Sequence, residues 1–223
     1  MEFPIGLIYD LIFLVLLLGG AILGKRRGFL SGLVGLVGSV AGILAGVYAS
    51  RNWASSLYYD HIGVTIGETV TKSMAETGGD LAAAINSISF LPDAVREKLT
   101  TALTNLTAAA VPQIVNALAP VLLPMLQAVF FLLVWVAARA LFHLLARWLR
   151  GVNALPLVGT VNKVLGFALG FVSGTLNCWI LSLALWLIAT VSGGKLEVLN
   201  FSVLQSSALY RLLETLNPFV VHY

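Results

Sequence analysis

Apolar residues run almost without interruption through four stretches of this chain, approximately Ile5–Gly24, Gly28–Ala49, Val121–Phe142 and Val164–Val191. Each supplies the roughly 20 residues that a helix needs to cross a hydrocarbon core about 30 Å thick. Strand-like alternation is absent, so the stretches read as helices rather than barrel strands. Between them, residues 51–119 are hydrophilic but carry apolar positions at helical spacing: Ile66, Val70 and Met74; Leu81, Ile85 and Ile88; Val95, Leu99, Leu103 and Leu106. Asp80 sits where an N-cap belongs and Pro92 where a first-turn proline belongs. A tail repeats the pattern with Leu209, Leu212, Leu213 and Leu216, and Asn217-Pro218 closes its helix. The predicted fold is all-α: an integral membrane protein with four transmembrane helices plus external amphipathic helices. Residues 1–50 form a first transmembrane hairpin, 51–119 an extracytoplasmic amphipathic segment, 120–192 a second hairpin and 193–223 an extracytoplasmic tail. Short amphipathic helices of this kind make a poor independent domain and should lie on the outer leaflet or pack against the helix ends.

Composition agrees with the pattern. Of the 223 residues, 59% are hydrophobic and only 10% charged, and the mean hydropathy is +0.94, where a soluble domain carries about 25% charge. The net charge of +3 is too small and scattered for nucleic-acid binding, and its distribution matters more. Seven of the thirteen Lys and Arg residues and none of the ten Asp and Glu residues fall in or beside the two short connections. They are Lys25, Arg26 and Arg27 after the first helix, then Arg139, Arg147, Arg150 and Lys163 around the third and fourth. The positive-inside rule places both connections in the cytoplasm and both termini on the outer side of the membrane. A cleaved secretory signal would put its positive charges before the first apolar run; here Glu2 precedes the run and the basic triplet follows it, the order of an anchor.

Glycine is the most distinctive residue. Gly28, Gly32, Gly35, Gly38, Gly42 and Gly46 lie on the second helix, and Gly166, Gly170 and Gly174 on the fourth. Four-residue spacing aligns them on one face, where missing side chains admit another backbone. Two readings stand: packing within one subunit, or an interface with another subunit or partner. Both striped helices follow a basic turn, so the halves look like two copies of one unit.

Asp10, inside the first run, reads as an interfacial or capping carboxylate, with proton or ion handling and interhelical hydrogen bonding as alternatives. Arg139, His143, Arg147 and Arg150 share one face of the third helix, suited to the anionic leaflet or an acidic partner, or to ordinary snorkelling. Cys178 is the only cysteine, so no intrachain disulfide forms. No nucleophile elbow, HExxH or phosphate-loop pattern occurs, so no enzyme, metal or cofactor is expected.

Two segments carry a family resemblance. The first is Tyr9-Asp10-Leu11-Ile12 followed by Gly24-Lys25-Arg26-Arg27-Gly28-Phe29 and the glycine-rich helix. The second runs from Leu155-Pro156-Leu157-Val158-Gly159 through Asn162-Lys163-Val164-Leu165-Gly166 and Ala168-Leu169-Gly170 to Gly174. Together they resemble the colicin V production (CvpA) family of bacterial inner-membrane proteins, and the chain departs from its smallest members by a longer external segment. The resemblance implies a link to colicin V production or export and to envelope homeostasis, with no catalytic residues to carry over. The expected function is a scaffold or accessory protein acting through helix association, with the lipid bilayer, a second copy, or an envelope or secretion protein as partners. An oligomeric channel lined by the glycine-rich helices is the alternative.

Overall fold

The structure, a computed structural model, describes residues 5–86, 88, 96, 111–150 and 159–219. Among them the regular structure is helical, with no strand. In chain order the α-helices are α1 (Ile5–Leu57), α2 (Gly63–Glu76), α3 (Leu81–Asn86), α4 (Val111–Arg150), α5 (Gly159–Val191), α6 (Phe201–Gln205) and α7 (Ala208–Glu214). A π-helical turn, Tyr58–Ile62, joins α1 to α2. Three helical runs are long and apolar enough to cross a membrane: Ile5–Glu76, Ile114–Leu145 and Thr160–Val191. The first is broken at Gly28, whose φ of 78° and ψ of 176° lie outside the helical region. Only glycine takes a positive φ without steric cost, so the residue after the basic triplet is where the chain can turn.

The contacts fix the direction of each half. Residues 5–27 run against α5, Gly24 lying beside Gly166 and Gly170, and Gly20 beside Gly170 and Gly174. Residues 29–57 run against α4, with Gly38 at Phe142, Gly42 at Trp135 and Gly46 at Phe131. Helices α4 and α5 oppose one another, Arg139 reaching Asn177 and Phe131 meeting Trp179 edge to face. The two halves of α1 are therefore antiparallel. Each packs chiefly on one helix of the second half of the chain.

Away from the Gly28 turn, the α1 helix continues past residue 50 through the π-turn into α2, and α4 begins at Val111. The expected boundaries at 50/51 and 119/120 both fall inside helices. Ile66, Val70 and Met74 bury their stripe, with Ile85 and Ile88, against Ile114, Leu118 and Leu122 of α4. The Tyr58 hydroxyl donates to the Val115 carbonyl, tying the π-turn to the same helix. Of the two arrangements foreseen for this segment, the described part packs on a helix end. Asp80 caps α3 through its carboxylate, which accepts from the N–H groups of Ala82 (2.9 Å) and Ala83 (3.1 Å). Pro92, the stripe Val95–Leu106, Leu155–Val158 and the side chains of Leu81, Arg147 and Arg150 lie outside the described residues.

The tail folds back on the bundle. Leu204, Tyr210 and Leu213 join Tyr9, Phe13 and Cys178 in a second cluster. The expected leucine face splits: Leu213 is buried, while Leu212 and Leu216 are about two-thirds exposed. Helix α7 has only seven residues, and Tyr210 with Leu213 occupies the face turned inward.

Candidate functional site: the basic turn and the groove below it

Both glycine stripes are engaged inside the chain, in different ways. On α5, Gly166, Gly170 and Gly174 meet backbone: a Cβ added at Gly170 would lie 2.8 Å from the Gly24 Cα, and one at Gly174 2.9 Å from the Leu17 carbonyl oxygen. Their partners Gly20 and Gly24 are absent from the expected packing residues, although Gly20, Gly24 and Gly28 carry the same four-residue spacing. On α1, Gly38, Gly42 and Gly46 face aromatic side chains, and Gly32 faces Leu169. Gly35 is an exception to the packing expectation, since nothing lies within 4 Å of an added Cβ. Its face opens onto a groove.

The turn itself is held by one side chain. The Asn162 amide oxygen accepts the N–H of Phe29 at 2.6 Å, and a Cβ at Gly28 would lie 2.7 Å from the Asn162 amide nitrogen. Asn162 thus stands in for the helical bond that the break at Gly28 removes. Its replacement by alanine should loosen the turn by about 1 kcal/mol, read as faster amide exchange at Phe29. An unchanged exchange rate would count against this role.

Around the turn lies a cavity of about 580 Å³. Ile22, Lys25, Arg26 and Arg27 form one wall and Asn162, Lys163 and Phe167 the other. A second, smaller cavity of about 90 Å³ shares Arg27 and extends along α1 past Ser31, Gly35 and Ser39 to Arg139 and His143 of α4. Ser31, Gly35 and Ser39 are four residues apart on the second half of α1, so the groove follows one small-residue stripe there, with Arg27 meeting it from across the break at Gly28.

At its inner end, Arg139 donates to the Asn177 amide oxygen at 2.7 Å and to the Ser39 hydroxyl at 3.4 Å, and lies 5.2 Å from the Trp135 ring centroid. Ser39 follows the turn by eleven residues, about 16 Å along the helix. Neutral partners on two other helices, Ser39 of α1 and Asn177 of α5, hold its guanidinium. Guanidinium does not give up its proton, so the site is built to hold charge or an anion, not to transfer protons. No carboxylate occurs from residue 11 to 59 or from 98 to 196.

Asp10 lies at the other end. Its carboxylate accepts from the Ser207 hydroxyl (2.6 Å), the Ala208 N–H (3.2 Å) and the Leu209 N–H (2.8 Å). It thereby caps α7 from 197 residues away. The adjacent Tyr9 hydroxyl donates to the Val198 carbonyl at 2.7 Å. Among the described residues no group of His, Cys, Asp and Glu could hold a metal ion.

A family model described as Colicin V production protein matches residues 102–218, just over half of the chain. No curated protein and no solved structure matches significantly. The matched region contains α4, α5 and the tail helices, and excludes the basic turn and Asp10.

Proposed function

The chain belongs to the colicin V production protein family, and from that premise we propose that it is a membrane scaffold or accessory protein, without turnover, linked to toxin production or export and to envelope homeostasis. On this reading it crosses the inner membrane four times, with the two short connections in the cytoplasm and both ends outside. Gly28 follows the basic triplet directly, and the exposed aromatics Tyr48 and Trp53 lie 20 and 25 residues after it. About 30 Å of helix separates Gly28 from Tyr48, the thickness of a hydrocarbon core, with basic residues at one boundary and aromatics at the other.

The observation that carries the scaffold reading is the closure of the glycine faces. Phe142, Trp135 and Phe131 fill the face of Gly38, Gly42 and Gly46, and backbone fills that of Gly166 and Gly170. These two faces are thereby filled within one chain, and on this reading the surface offered to an envelope or secretion partner is the helical cluster around α2. The test is crosslinking in native membranes on a Cys178→Ser background. Single cysteines at the exposed Val64 and Lys72 should capture another protein, while cysteines along Val37–Val47 should give no chain-to-chain product. Capture at neither surface position, with a monomer throughout, would sink the proposal.

The groove from Arg27 to Arg139 favours the second reading, an oligomeric channel, because it is a polar path into the bundle. Conductance in reconstituted bilayers that changes with Gly38→Leu or Gly42→Leu would decide for the channel.

A further inference from the structure

The 580 Å³ cavity at the turn gathers four cations from two helices, Lys25, Arg26 and Arg27 before Gly28 and Lys163 on α5. Among the described residues no ion pair neutralises them. The sequence also holds no carboxylate within 31 residues of Gly28 on its C-terminal side or 33 residues of Lys163 in either direction. Like charges brought together in this way draw their counter-charge from outside the chain.

Two further features identify the source. The cavity lies within the ~300–1,000 Å³ range of pockets that enclose organic molecules, more than one inorganic ion fills. Its walls also continue onto apolar side chains on the outside of the bundle, Ile22 at 50% exposure and Phe167 at 43%. A free phosphate would gain nothing from these two, whereas an acyl chain lies against them. Basic pockets between membrane helices recognise anionic headgroups by this combination.

We propose that the pocket between Lys25–Arg27 and Lys163 binds the phosphate headgroup of an anionic phospholipid, with an acyl chain along Ile22 and Phe167. Orienting the chain requires only that the basic residues lie on one side. A seated lipid requires that they converge on one cavity, as they do.

The test uses the full-length protein in mild detergent, with dioleoylphosphatidylglycerol and dioleoylphosphatidylcholine supplied at equal mole fraction and bound lipid counted by native mass spectrometry. The anionic lipid should be retained in preference. Lys25→Gln and Lys163→Gln should each weaken retention about fivefold, Lys163→Arg should preserve it, and Arg51→Gln at the far end should leave it unchanged. Phe167→Ala should weaken retention even with the charges intact, and excess inorganic phosphate should not displace the lipid. Equal retention of both lipids, or equal effects of Lys163→Gln and Arg51→Gln, would overturn the proposal. Displacement by inorganic phosphate together with a silent Phe167→Ala would assign the pocket to free phosphate and overturn it as well.

Discussion

Gly24→Ala should destabilise the bundle more than an alanine at Gly32, Gly35, Gly38, Gly42 or Gly46. An added Cβ would lie 2.6 Å from the Gly170 Cα and 2.9 Å from the Gly170 nitrogen. These are backbone atoms that cannot rotate away, so relief requires the first half of α1 to move off α5. Overpacking typically costs about 1–3 kcal/mol, and loss of dispersion contacts along the separated helices places this case at the upper end. Gly46→Ala should cost less, because its nearest neighbour is the edge of the Phe131 ring at 2.8 Å and a ring can shift. Gly35→Ala meets nothing within 4 Å and replaces the poorer helix former, so it should be neutral or stabilising by up to about 1 kcal/mol. Thermal unfolding in detergent gives the order directly. A Gly24→Ala protein melting with Gly35→Ala would refute the close backbone contact.

The second large effect is expected from Asp10→Ala. The carboxylate accepts three hydrogen bonds from Ser207, Ala208 and Leu209, and Ser207 is fully buried. Bonds to a charged acceptor contribute about 1.5–3 kcal/mol each, part of which water recovers when the acceptor is removed. A net loss of roughly 2–4 kcal/mol would release α7 from the bundle. The measurement is tryptic cleavage after Arg211, in the last turn of α7, which should accelerate strongly in Asp10→Ala and by an intermediate amount in Asp10→Asn, where the acceptor survives without its charge. Unchanged cleavage would mean that the hydrophobic contacts of Tyr210 and Leu213 hold the tail unaided.

The family, the all-helical class and the local signals were legible in the sequence because each rests on residues near one another in the chain. Asp80 caps the helix that begins beside it, and Ile66, Val70 and Met74 form a buried stripe because three- and four-residue spacing defines a helix face wherever it lies. Spacing does not name the partner of that face. Gly166, Gly170 and Gly174 were visible as a stripe, yet their contact is with Gly20 and Gly24, inside a run that read as a plain anchor. Arg139 escaped for a related reason. Its position places a Cα near a helix end, whereas the direction of its guanidinium depends on Ser39 and Asn177, 100 and 38 residues away. The tail leucines split because period alone does not say where a helix of seven residues stops.

The pairing of the first half of α1 with α5 also has a consequence in time. The bond from Phe29 to Asn162 spans 133 residues, and the glycine contacts beside it span similar distances. At roughly 5–20 residues per second of synthesis, the glycine face of the first helix waits on the order of ten seconds before its partner emerges from the ribosome. During that wait the nascent chain holds an uncovered face of close-packing residues in the lipid. The close packing of Gly20 and Gly24 on α5 is therefore a late event, completed only after most of the chain has been made.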